Sequence, residues 1–147
     1  MSESTMNGTS PAKTPWHLWL IGVLSLLWNA AGAWTIMSAQ AGDPMDMDAH
    51  EIAYYAGQSP WFVAIVDVAL IAPILAAVAL LLRSRWAVHL FGLSVAAIVV
   101  TAAYDIAQGT ALLLNDRGWL VLECVTFAIA LAQLLYALAM RRRGLLR

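Results

Sequence analysis

Cysteine is nearly absent from this chain of 147 residues, and Cys124 stands alone. An internal disulfide is excluded, and so are the four-helix thiol-oxidising membrane enzymes, which need cysteine pairs. Charge is scarce as well. Charged residues make up 12% of the chain, and Lys13 is its one lysine. The net charge of -1 implies no bulk attraction to nucleic acid. No Lys or Arg falls inside any of the long apolar runs. No catalytic signature is present, so the chain is not expected to be an enzyme or to carry a cofactor or a resident metal.

What fills the chain is apolar: hydrophobic residues account for 62% of it. A soluble domain of this size has too much surface to be so apolar. The pattern is organised around Arg83-Ser84-Arg85-Trp86, with an apolar run on either side at 60–82 and 87–114. So short a turn with two arginines reads as a cytoplasmic hinge between two membrane-spanning helices. Spans are expected at about 16–38, 60–82, 86–111 and 119–140. The fold class is therefore all-α: an integral membrane four-helix bundle of two tandem transmembrane hairpins. Residues 1–15, rich in Ser and Thr with Pro11 and Pro15, read as a disordered tail. Residues 144–147 read as a short cytoplasmic end. A signal peptide is the rival reading of the first span, with Ala39-Gln40-Ala41 as a cleavage site. The apolar stretch is longer than such a peptide's core and favours a permanent span.

Charge is segregated by helix end. Lys13, Arg83, Arg85, Arg141, Arg142, Arg143 and Arg147 fall at one set of ends; Arg117 falls at the other, beside Asp43, Asp46, Asp48, Glu51 and Asp116. The positive-inside rule then places both termini in the cytoplasm and the 40–59 and 115–118 loops outside. The tryptophans follow suit: Trp16, Trp19 and Trp86 mark one interface, Trp34, Trp61 and Trp119 the other, and Trp28 lies deep.

In the 40–59 loop, Asp48 and Glu51 have capping-box spacing ahead of Ile52-Ala53-Tyr54-Tyr55. A short surface helix with its tyrosines at headgroup level is expected there. The same loop clusters Met45, Asp46, Met47, Asp48, His50 and Glu51, but one histidine in one loop is a poor metal site, and the cap is preferred. Pro73 lies mid-span and should kink the second helix. A faint repeat aligns Trp16 with Trp86 and Trp61 with Trp119, which suggests two like hairpins related by an axis along the membrane normal.

Each span carries small or polar residues at helical spacing: Gly22, Ser25, Asn29 and Gly32; then Asp67; then Ser94, Thr101, Asp105 and Gln108; then Glu123, Thr126, Ala130, Gln133 and Ala137. Such stripes face other helices, and packing alone accounts for the small members. It accounts less easily for Asp67, Asp105 and Glu123. An ionised carboxylate at mid-membrane costs roughly 2.5–3.5 kcal/mol. All three fall about 7–12 Å from their span centres toward the acidic side, by helical rise. Either they touch outside water, or they line a periplasm-facing polar pocket with Asn29 and Gln108, which Arg117 reaches from the rim. His17 and His89 share a depth near the other face, the arrangement of a haem pair, though interfacial histidines are the commoner case.

The stretch Leu27-Trp28-Asn29-Ala30-Ala31-Gly32-Ala33, then Pro60-Trp61, then the Arg-rich turn before Trp86-Ala87-Val88, resembles an uncharacterised family of small four-helix inner-membrane proteins of Proteobacteria. The resemblance runs from about residue 16 over most of the chain. It implies a bacterial inner-membrane location, and some members bear the label sugar transporter. Members often place an acid soon after the Gly-Ala of the first span; this chain has Trp34-Thr35-Ile36 there and carries Asp67 on the second span instead. The resulting expectation is a lipid-embedded protein that binds or transports a small solute or cation through the pocket. Four spans enclose little volume, so transport would call for a homodimer. The alternative is a non-transporting accessory subunit whose stripes pack on partner helices.

Overall fold

The computed structural model describes residues 15–42, 49–110 and 117–147. The loop residues Met45, Asp46, Met47 and Asp48 lie outside these ranges, as does the tail before Pro15. The side chains of His50, Arg117 and Trp119 are likewise outside the description.

The described chain is all-helical: α1 (Trp16–Gln40), α2 (Ala49–Ala56), α3 (Pro60–Leu81), α4 (Trp86–Gln108) and α5 (Arg117–Arg142). The four long helices have 22 to 26 residues. At about 1.5 Å per residue they reach about 33–39 Å, enough to cross a hydrocarbon core of about 30 Å. Their composition suits that solvent, and the fold is a four-helix membrane bundle. Leucines, valines and tryptophans that would be buried in a soluble bundle, such as Leu27, Trp28, Leu75 and Val121, face outward. The core is thin and built of small residues: Ala76, Ala77, Ala87 and Ala137 are fully enclosed, together with Leu18, Leu80 and Phe91.

The helices pack in the order α1, α3, α4, α5, with the α3–α4 contact the most extensive. An axis relating the two hairpins would make α1–α5 the equivalent of α3–α4. The α1–α5 approach is sparse instead, so the repeat in the sequence does not extend to the packing. Two polar contacts bridge that open seam: His17 Nδ1 lies 2.7 Å from the Tyr136 hydroxyl, and the Asn29 amide reaches Gln133 at 3.4 Å. The small-residue stripe on α1 also differs from expectation. A Cβ on Gly22 would stand 2.5 Å from Leu81 Cδ2, so glycine is what lets α3 close on α1. A Cβ added at Gly32 would meet nothing within 4 Å, and Ala33 takes the buried position. The register Gly22, Ser25, Asn29, Ala33 keeps one face, and residue 32 has rotated off it.

Residues 143–147 do not trail away. Arg83 adopts a left-handed φ of 59° at the end of α3, and Gly144 one of 69° at the end of α5. Each terminates its helix with the paired backbone bonds of a left-handed cap: Ser84 to Ala79 and Arg83 to Leu80, then Leu145 to Met140 and Gly144 to Arg141. The chain then folds back on the α3–α4 turn. The Arg147 N–H donates to Arg83 O at 2.7 Å, the Arg85 N–H donates to Arg147 O at 2.9 Å, and Arg83 Nε donates to Leu145 O at 3.1 Å. Leu145 and Leu146 are buried as a result. A left-handed arginine costs about 1–2 kcal/mol relative to glycine, and these three bonds offset it.

Pro73 is buried within α3 and has no N–H, which leaves the carbonyl four residues earlier, Ala69 O, without its helical donor. Ser94 of α4 fills the gap, its hydroxyl donating to Ala69 O at 3.1 Å. In hydrocarbon no water can do this. Ser94→Ala is therefore expected to lower stability in detergent by about 1–2 kcal/mol, the cost of an orphaned buried acceptor. Pro73→Ala restores the helical donor, so the same serine change in that background should cost much less. Additive effects in this thermal-unfolding cycle would show that Ser94 acts through packing alone.

Candidate functional site

The inner face of α4 carries Phe91, Ser94, Thr101 and Asp105 in helical register, and all but Asp105 are buried. The inner face of α5 carries Glu123, Thr126, Ala130, Gln133 and Ala137, the last three buried. Both carboxylates are half-buried and belong to the faces the helices turn toward the bundle. They lie close enough that the charge of Asp105 acts on Glu123.

The amphipathic helix α2 supplies the rest. Its first turn holds Glu51, suited to a helix N-terminus. Ile52 is exposed, while Tyr55 is 8% exposed. The tyrosines turn into the mouth of the bundle. The Tyr54 hydroxyl donates to Asp105 Oδ1 at 2.8 Å, and Thr110 Oγ1 donates to the same oxygen at 3.1 Å. The two tyrosine rings meet edge to face, with centroids 5.1 Å apart. An aromatic wall completes the mouth: Tyr104 packs on Phe62 at 4.6 Å and on Trp61 at 5.1 Å.

This environment shows in the phenols of α2. Burial pushes the Tyr55 hydroxyl up to about 12, and the negative charges of Glu51, Asp105 and Glu123 add to the shift. Burial pushes Tyr54 up further, reinforced by its bond to Asp105 and by that carboxylate's charge.

The five sequence-derived candidates thus separate. Asp105 lies beneath α2, and Glu123 faces the bundle from the neighbouring helix α5, within reach of its charge. Asn29 lies deeper, donating to Ser25 O at 2.7 Å and to Gln133. Gln108 is exposed, its amide donating to the Tyr104 hydroxyl at 3.4 Å. Asp67 is half-buried and stands apart. The buried face of α3 follows Phe62, Pro73, Ala76, Ala77 and Leu80, and at about 100° per residue Asp67 falls roughly 140° around the axis from it. Of the two histidines weighed for haem, His17 is bonded to Tyr136, while His89 is exposed and tilted against Trp86. Among the described residues no three His, Cys, Asp or Glu side chains converge so as to hold a metal ion. Tyr54 and Thr110 complete the site, Gln133 pairs with the deeper Asn29, and none of the three was among the candidates. The double tyrosine just after a cap was the available signal, since an amphipathic helix beside a bundle mouth must turn one face in.

The chain matches no family model, no curated protein and no solved structure.

Both phenols are raised above their ordinary value near 10, so between pH 10 and about 12 the docked α2 holds protons that the undocked segment releases. The stabilisation is therefore complete below about pH 10 and is lost as pH rises toward 12. Hydrogen exchange along α2 should accelerate over that window. Tyr54→Phe should cost about 1–2 kcal/mol at neutral pH through the lost bond to Asp105, and it should shallow the alkaline decline. An unchanged exchange rate in α2 for this variant would mean that the Tyr54–Asp105 bond does not hold the helix.

Proposed function

We propose that this small multi-pass membrane protein binds or passes a small solute or cation through a polar site that opens at the acidic end of the bundle, with α2 as its gate. The observation that carries the reading is the Tyr54–Asp105 bond. It joins a surface helix to an intramembrane carboxylate that has a second carboxylate, Glu123, within electrostatic reach. Carboxylates within a span are costly and default to a functional role. Here the costly group is covered by the one element short enough to move without unpacking a span. The cover is also imperfectly satisfied. Gln40 Nε2, Gln58 Oε1 and Ser59 Oγ, near the two ends of the 41–59 connection that carries α2, are buried without a hydrogen-bond partner among the described residues.

In this reading both termini are cytoplasmic, the membrane is a bacterial inner membrane, and the acidic end faces the periplasm. The resemblance to the small proteobacterial four-helix family supports the same assignment. The small enclosed volume favours a homodimer as the transporting unit. An accessory role is the second reading. It draws on an apolar groove of about 400 Å³ on the α1–α3 face, walled by Ala30, Ala33, Trp34, Met37 and Ile74, in which a partner helix could lie.

Thermal-shift measurements in detergent with sodium, potassium or neutral hexoses, followed by uptake of any stabilising species into proteoliposomes, separate the two. Binding predicts a saturable stabilisation that Asp105→Asn and Glu123→Gln weaken about tenfold or more, as loss of a charged contact should. No stabilisation by any of these species, together with a lysate partner that Trp34→Ala releases, would transfer the function to the groove.

A further inference from the structure

At the arginine-rich end, Arg85, His89, Arg141 and Arg147 line one cavity of about 490 Å³, with Gly144 and Leu146 completing its wall. The cavity exists because residues 143–147 return to the α3–α4 turn and are held there by the backbone bonds to Arg83 and Arg85 and by the burial of Leu145 and Leu146. Three arginines from three separate stretches thereby line one cavity with a histidine from α4. No side-chain carboxylate among the described residues pairs with them, since Glu51, Asp67, Asp105 and Glu123 all lie toward the opposite end; the carboxylate of Arg147 itself is engaged by the Arg85 backbone N–H at 2.9 Å. Orientation in the membrane depends on the number of arginines at that end and does not require them to share a cavity. Arg142 and Arg143 add to the number and do not line the wall.

We propose that this notch binds an anionic phosphate ester. Guanidinium groups match phosphate oxygens in pairs and bind them more strongly than neutral donors do. Basic notches between spans at the aqueous boundary suit lipid headgroups in particular. The level is right for one: Trp86, exposed and of the interfacial type, has its ring 5.8 Å from that of His89. The same chemistry would take a soluble phosphate compound, so the source is left to the experiment.

The full chain, purified and stripped of lipid in a non-ionic detergent, is titrated with phosphatidylglycerol, with phosphatidylcholine and with inorganic phosphate. Bound phosphatidylglycerol is counted as one-to-one adducts by native mass spectrometry. Arg85→Gln/Arg141→Gln is compared with Arg142→Gln/Arg143→Gln, which removes the same charge from outside the cavity. Among the described residues neither pair makes a side-chain hydrogen bond, unlike Arg83. The cavity pair should weaken binding about tenfold, and the control pair less than about twofold, as expected for direct rather than diffuse charge contacts. Leu146→Ala leaves charge unchanged but loosens the wall, and should also weaken binding. Saturable binding of phosphatidylglycerol over phosphatidylcholine identifies a headgroup; saturable binding of inorganic phosphate without lipid identifies a soluble ligand. Equal losses in the two double variants, or no saturable binding of either probe, would overturn the site.

Discussion

A hydrocarbon solvent donates and accepts no hydrogen bonds, and most of what is specific in this bundle answers that constraint. Apolar side chains can face lipid or protein at similar cost, so they do not decide which faces meet. Polar groups do. Pro73 strips a donor from α3, and Ser94 of α4 supplies it, which ties the two central helices at one register. Asn29 and Gln133 satisfy each other across the α1–α5 seam, where few other contacts exist, and His17 with Tyr136 repeats the device nearer the basic end. Asp105 takes bonds from Tyr54 and Thr110. Each contact pairs a group that lipid could not satisfy with one from another part of the chain.

The two ends of the bundle are closed by different physics. At the basic end a short returning segment buries two leucines and completes backbone bonds with the α3–α4 turn, and the arginines are left around a notch open to water. At the acidic end a short helix folds over the mouth and places a phenol on an intramembrane carboxylate. The first closure rests on apolar burial and backbone bonds, which change little near neutral pH. The second rests on ionisable side chains, with three buried polar atoms around it that have no partner among the described residues. The first is suited to hold and the second to release.

The four spans are legible in the sequence because apolar length and terminal charge are additive properties of a stretch, read without knowing its neighbours. The inward faces of α4 and α5 are legible for a similar reason, since Ser94, Thr101 and Asp105, or Glu123, Gln133 and Ala137, recur at helical spacing. Asp67 misleads because a lone polar residue on a helix has no periodicity to fix its face. Gly32 misleads because positions 32 and 33 differ by about 100° around the axis while both lie near the end of the register. The return of Leu145 and Leu146 depends on where a turn sends the chain, through Arg83 and Gly144 in left-handed conformations, and the docking of Tyr54 depends on Asp105, 51 residues away in sequence. No local pattern reports that.

The central claim is that α2 lies closed over Asp105 and is held there by the Tyr54 hydroxyl. Distances between spin labels at Ala53 on α2 and Ala107 on α4, with Cys124 replaced by serine, measure this directly by pulsed electron resonance in lipid nanodiscs. The account predicts one narrow, short distance population for the otherwise native chain, and a second, longer population when Tyr54→Phe or Asp105→Asn is added. A broad, long distribution in the native chain, or one narrow population unaltered by both substitutions, would contradict it.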